Sequence, residues 1–266
     1  MDVTQVTKSL LDVLFMSEKR KEVLLLLQDG AKEMEVIVKA LDTTRQALLP
    51  QVRTLEDHYL VSHDRDTYEL TSIGKLIVDE MIPLLGTLKV FDNDTDYWGT
   101  HKLDFIPPHL LKKIDQLGQY RIINPPLHDA YELNRDIVKT TLRSKSLISV
   151  TSYLHPSFPT VSTKFSEMGI HVQMIMTIDL FEQLKFQNYD QFRQLLEIGN
   201  TTYWLYPKNI GFMSFIQNDY CSLLRLITSN GLFDNKQLLL CDPAALQWGR
   251  EFFEHYLKDS TPITGI

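Results

Sequence analysis

Arginine and glutamine on one side of a short helix are the side chains that read base edges, and residues 43–57, TTRQALLPQVRTLED, hold both. Arg makes a two-pronged contact to guanine and Gln a corresponding one to adenine, so the chemistry on offer is recognition in the major groove. At 100° per residue, Gln46, Pro50, Arg53 and Asp57 share one arc, and Leu48, Val52 and Leu55 fall on the opposite one. Thr43, Thr44 and Arg45 lie near the N-terminal end of the same helix, with Thr43 and Gln46 spaced as a capping box.

Pro50 is the anomaly. An interior proline deletes one backbone hydrogen bond and crowds the carbonyl four residues back, at a cost of about 3 kcal/mol. On the outward arc, water satisfies that carbonyl and a bend convex to solvent is the usual sense of curvature. The alternative is a helix that starts near Pro50, where proline is favoured, but this leaves barely two turns and discards Leu48. Further along, His63 and Arg65 sit at a hairpin tip, placed for phosphate or minor-groove contact; flanked by Asp64 and Asp66, Arg65 also reads as a solvated turn.

A second group is spaced for binding. Segments leaving parallel strands collect ligands in α/β sheets, and here they carry Tyr153, His155 and Asp179, the expected walls of a pocket for a small polar or anionic effector. The same residues also serve as ordinary turn and helix caps, as Asp242 before Pro243 does. No catalytic set is found. Phosphodiester cleavage by a histidine nucleophile needs a Lys two residues after the His, and none of the eight His has one. Histidine pairs at helical zinc spacing, CxxC, GxSxG and glycine-rich phosphate loops are absent too, so no metal, no cofactor and no enzymatic activity are expected.

Helices and one hairpin must position the first group. TQVTKSLLDVLF stripes Val6, Leu10, Val13 and Leu14; Ser17 caps EKRKEVLLLLQ, which Asp29-Gly30 stops; EMEVIVKAL precedes the reading helix at a tight turn. YLVSHDRDTYELT then alternates as a hairpin, and helical spacing resumes through Ile73, Leu76, Ile77 and Leu84. This is the order of a winged helix-turn-helix. FDNDTDYWGTHKLDFIPPHL has linker composition. Beyond it YRII, SLISVTSY, HVQMIMT, TTYWLY, IGFMSFIQ, CSLLRLIT and QLLLC read as strands, and LHDAYELNRDIVKTTLR, FPTVSTKFSEMG, YDQFRQLLEIG and PAALQWGREFFEHYLK as helices. The expected architecture is multi-domain: residues 1–91 an α-rich winged helix-turn-helix with flanking dimerisation helices, 92–106 a linker, and 107–266 an α/β regulatory domain with a mixed sheet.

Composition agrees with a folded protein, 44% hydrophobic and 23% charged over 266 residues. A net charge of -7 argues against indiscriminate polyanion binding and confines any nucleic-acid contact to a local surface. Without a long apolar run or signal segment, the chain is expected in the cytoplasm with no membrane partner. Cys221 and Cys241, each in an apolar run, are expected as reduced buried thiols.

LDTTRQALLPQVRTLEDHYLVSHDRDTYELTSIGKLI resembles archaeal winged-helix regulators of the ArsR-like type, and with LLLCDPAALQWGREFFEHYLK it resembles the methanogenesis regulatory protein family, whose reading helix carries LLPxVxxLE, proline included. The C-terminal half is similar, more loosely, to the phospholipase-D-like domain of archaeal sugar-responsive regulators. The resemblance spans nearly the whole chain. It implies a sequence-specific transcription regulator, a homodimer on double-stranded operator DNA, with a C-terminal domain that senses an effector or governs assembly. A reading from another class makes the winged helix a protein-binding module of an interaction scaffold.

Overall fold

A computed structural model describes residues 9–126, 132–187 and 189–264. The chain divides into two compact units, residues 1–85 and 86–266.

The first unit runs α1 (Leu10–Phe15), α2 (Glu18–Leu26), β1 (Lys32–Glu33), α3 (Met34–Ala40), α4 (Arg45–Asp57), β2 (Val61–Asp64), β3 (Thr67–Leu70) and the start of α5 (Ser72–Asp92). Ser17 caps α2 as expected, its hydroxyl accepting from the Arg20 N–H at 3.4 Å. Beyond the short turn Leu27–Asp29, Gly30 takes φ +114°, a conformation that side chains disfavour, and turns the chain into β1. β1 was not foreseen; it pairs antiparallel with β3, giving the sheet order β1-β3-β2. Val13, Leu24, Met34, Ile37, Leu48, Leu55 and Tyr68 are among the side chains of one core beneath these elements. Within the expected first helix, Val13 and Leu14 are buried and Leu10 is exposed, while Val6 lies outside the described residues.

The second unit adds α6 (Thr95–Thr100), α7 (Pro108–Leu111), β4 (Tyr120–Ile123), α8 (Arg135–Thr141), β5 (Ser146–Thr151), α9 (Phe158–Glu167), β6 (His171–Thr177), α10 (Ile178–Gln187), α11 (Tyr189–Leu196), β7 (Thr201–Tyr206), β8 (Phe212–Asn218), β9 (Ser222–Leu226), β10 (Gln237–Leu240), α12 (Pro243–Lys258) and β11 (Thr261–Pro262). All seven expected strands form, in one mixed sheet of order β11-β7-β6-β5-β8-β9-β10-β4, with β5, β6 and β7 parallel and the remaining pairs antiparallel. β9 and β10 are buried along their whole length. α12 packs on the sheet through Trp248, Phe252 and Tyr256, one turn apart, and Gly249 lets it close in: a Cβ there would stand 2.0 Å from Gln217 Oε1. Of the helix expected over residues 127–143, α8 is the described part; 127–131 lie outside the described residues.

Two expectations are corrected. Residues 92–106 are not a linker: α6 lies within them, and Tyr97, Trp98, Phe105 and Ile106 belong to the core of the second unit, because aromatic burial outweighs the surrounding Asp, Asn and Gly. Cys221 and Cys241 are joined in a disulfide, Cα to Cα 4.2 Å, rather than standing as separate thiols. Antiparallel pairing of Leu240 with Ser222 brings the two together.

Candidate nucleic-acid interface

α4 is held from below. Leu48, Val52 and Leu55 are buried at 0%, 1% and 0% exposure, so the inward arc is wholly committed to the core and the opposite arc must face out. Its rotation about its own axis is fixed by a polar clasp: buried Arg20 donates to the Val13 carbonyl at 2.6 Å, the Asp12 carbonyl at 3.0 Å and Gln51 Oε1 at 2.9 Å, and Ser17 Oγ donates to the same oxygen at 3.1 Å. The helix begins one residue later than expected. Thr44 is the N-cap, accepting from the Ala47 N–H at 3.3 Å, and the Thr43 N–H that a capping box would pair with Gln46 donates instead to the Val38 carbonyl in α3. No capping box forms on Thr43.

Gln46, Pro50, Arg53 and Asp57 are exposed, as their arc requires. The helix is continuous through Pro50, whose own carbonyl accepts from Thr54 Oγ1 at 2.9 Å. At the head of α4, Arg45 makes a two-bonded ion pair with Asp66 in the hairpin turn, Nη1 to Oδ2 2.9 Å and Nη2 to Oδ1 2.5 Å. Hydrogen bonding to Arg45 holds the Asp66 carboxyl below its usual range, and the same bond raises the guanidinium further above its own. His63 hydrogen-bonds Glu56 through Nδ1 and stacks on Tyr68 with ring centroids 5.2 Å apart. Arg65 occupies the left-handed region at φ +56°, in a two-residue turn closed by the pairing of Asp64 with Thr67. Among the described residues, Arg53 and Arg65 form no ion pair, so they are the cations the surface offers directly. Asp66 and Glu56, which engage the other two, were not foreseen: their partnerships arise from folding the hairpin back on α4.

In the second unit, Tyr153 and His155 come together on the segment after β5 and line one cavity. Asp179 does not join them: it is exposed in the first turn of α10, because the chain enters that helix directly from β6. Asp242 caps no backbone N–H of α12 with its side chain; its carboxylate accepts instead from the Gln119 N–H at 2.8 Å. Arg225 of β9, which sequence reasoning passed over, lies in the same cavity and donates from Nη1 to the Tyr153 hydroxyl. Burial raises the Tyr153 phenol and the nearby Arg225 charge only partly offsets it. A charged side chain inside the apolar run SLLRL was the signal available in the sequence.

Two family models match the chain, the N-terminal domain of methanogenesis regulatory protein FilR1 over residues 8–89 and its middle domain over residues 130–259. Methanogenesis regulatory protein FilR1 of Methanothrix harundinacea (strain 6Ac) is 24% identical over 253 residues, an alignment covering 93% of this chain and 56% of that protein, so the chain spans little more than half the length of this relative. Similar solved structures include TrmBL2, an archaeal chromatin protein (TM-score 0.41, 10% identity, 92% of this chain and 94% of that one). Another is Nuc, a phospholipase D family member from Salmonella typhimurium (TM-score 0.40, 11% identity, 55% of this chain and 99% of that one). Through the two domain models, which together span most of its length, the chain belongs to the methanogenesis regulatory protein FilR1 family.

Proposed function

We propose that the chain is a sequence-specific transcription regulator, not an enzyme, and that its first unit is a winged helix-turn-helix with α4 as the reading helix. One observation carries the reading: a single helix buries Leu48, Val52 and Leu55 completely while offering Gln46, Pro50 and Arg53 to the exterior. A helix so fixed spends little entropy in docking, and its outward residues are of the base-reading kind. Thr43, Thr44 and Arg45 lie at the end that approaches the backbone, and the hairpin tip with His63 and Arg65 takes the flanking phosphates or minor groove. Homodimerisation presents two such helices. α1 with its C-cap and the first half of α5 expose Leu11, Met16, Ile73 and Leu76 at 69%, 77%, 51% and 70%, apolar side chains that a second subunit would cover. The second unit governs the first through an effector held near Tyr153 and His155. The member of the family that this chain aligns with is named as a regulator of methanogenesis, and the same biological role is proposed here.

The test is a titration of the protein against a fluorescent duplex from the region upstream of its own gene, with scrambled duplex as competitor, at two salt concentrations. Salt-sensitive binding that survives the competitor is expected, since each phosphate neutralised releases a counterion. A protein-binding role for the same surface is favoured by the engagement of Arg45 and His63 with carboxylates; it predicts no preference between duplexes at either salt.

A further inference from the structure

The cavity lined by Tyr153 and His155 has two unlike ends. The pairings Thr151 with Ser214 and Ser214 with Arg225 set these three side chains in one row across β5, β8 and β9. Two residues down, on the same side of the sheet, Ser149, Ile216 and Leu223 form the next row, and Leu147 lies beyond it. The first row is polar and the last apolar. α8 and α9 close the apolar end with Ile137, Val161 and Phe165.

Arg225 has only 8% of its surface exposed, and its Nε has no hydrogen-bond partner. Among the described residues no carboxylate pairs with it. Among the described residues its side chain hydrogen-bonds the Tyr153 hydroxyl, a neutral phenol that burial keeps protonated. A guanidinium does not give up its proton, so a buried one without a counter-charge is held at a cost that an incoming anion removes. The fork of a guanidinium matches a carboxylate, and the Ser214 hydroxyl in the same row supplies a further donor, while the Thr151 hydroxyl is already given to the Tyr153 carbonyl.

We propose that this cavity binds an amphipathic carboxylate, with its head group on Arg225 and an unbranched aliphatic chain running down the sheet toward Leu147 and Phe165. The assignment rests on the reading of the second unit as regulatory only for its consequence; the binding site stands on Arg225 and the two-ended cavity alone. No charged residue lines the apolar end, so a second charge on the ligand's tail has nothing to meet there. A carboxylate is favoured over a phosphate ester because a single guanidinium balances one charge.

Octanoate is the first probe, titrated into the full chain by calorimetry, with octanol and octyl phosphate as comparison compounds. Saturable one-to-one binding of octanoate at least tenfold tighter than octanol is expected. Arg225→Gln should weaken octanoate by at least tenfold and bring it close to octanol. Val161→Phe, which fills the apolar end and leaves the arginine alone, should weaken both compounds. Absent octanoate binding, or binding indifferent to Arg225→Gln and to Val161→Phe, overturns the site; octyl phosphate binding more tightly than octanoate overturns the carboxylate assignment. Repeating the operator titration with and without octanoate separates this inference from the regulatory reading. Binding of octanoate that leaves operator affinity unchanged refutes the regulatory reading and keeps the site, whereas normal operator binding by a chain that takes no octanoate does the reverse.

Discussion

Arg45 and Asp66 join the first turn of α4 to the hairpin turn through two hydrogen bonds of 2.9 and 2.5 Å, across 21 residues of sequence. The pair ties the head of α4 to the hairpin turn, and on the proposed reading it withholds from DNA a cation at the end of the helix that approaches the phosphates. Both partners are exposed, so the pair is a switchable contact more than a source of stability.

Asp66→Asn therefore raises affinity for DNA of any sequence. It frees Arg45 for a phosphate and removes a carboxylate that phosphate repels, so the slope of log affinity against log salt steepens by about one unit. Filter binding across a salt series measures this, and an unchanged slope contradicts the role given to the pair. Thermal unfolding should stay where it is.

Pro50→Ala separates stability from reading. The substitution restores a backbone N–H four residues after Gln46 and should stabilise the first unit by up to about 3 kcal/mol. Operator discrimination should fall, because the outward face loses its donor-free apolar contact. Chemical denaturation followed by circular dichroism reads the first effect; a variant no more stable than the wild type denies that the proline is a cost borne for function.

Paired substitution of Leu11→Asp and Leu76→Asp places charge on the proposed dimer surface without touching the core, since both side chains are largely exposed. Sedimentation equilibrium should show a dimer for the wild type and a monomer for the variant, with operator affinity lowered because only one half-site is held at a time. A wild-type monomer rules out the dimer outright.

His255 makes stability pH-dependent. Burial, and then the neighbouring His109 ring with centroid 6.2 Å away, hold its imidazole below the ordinary histidine range. The folded chain thus resists a proton that the unfolded chain accepts. This contribution is complete above about pH 6.5 and is lost as pH falls from there through the lowered value. Denaturant midpoints from pH 8 to pH 5 should decline for the wild type and decline less for His255→Gln.

Much of this was legible in the residues because it is local. The arc of Leu48, Val52 and Leu55 needs only helical spacing, and it correctly turned Pro50 outward. The seven strands of the second unit followed from apolar runs between turns. What failed depends on contacts between distant residues. Thr44 rather than Thr43 caps α4, and the Thr43 N–H that a capping box needs goes to the Val38 carbonyl in the preceding helix. The partnership of Cys221 with Cys241 follows from strand register, which spacing does not encode. The polar members of residues 92–106 have linker composition, while Tyr97, Trp98, Phe105 and Ile106 decide where the segment goes. Strand-end position alone groups Asp179 with Tyr153 and His155, and α10 carries it to the surface. The run around Arg225 reads as core even though one member carries a charge, and among the described residues only the folded sheet shows that charge to lack a carboxylate partner.

If the outward face of α4 reads DNA sequence, as proposed, the direct measurement compares wild type with Gln46→Ala and Arg53→Ala on a set of operators altered one base pair at a time. Each substitution should cost about 1–3 kcal/mol on the intact operator and abolish the penalty for mutating one particular base pair, leaving the folded state unchanged by circular dichroism. Folded variants that bind the intact operator as tightly as wild type, with the same base preferences at every position, contradict the account.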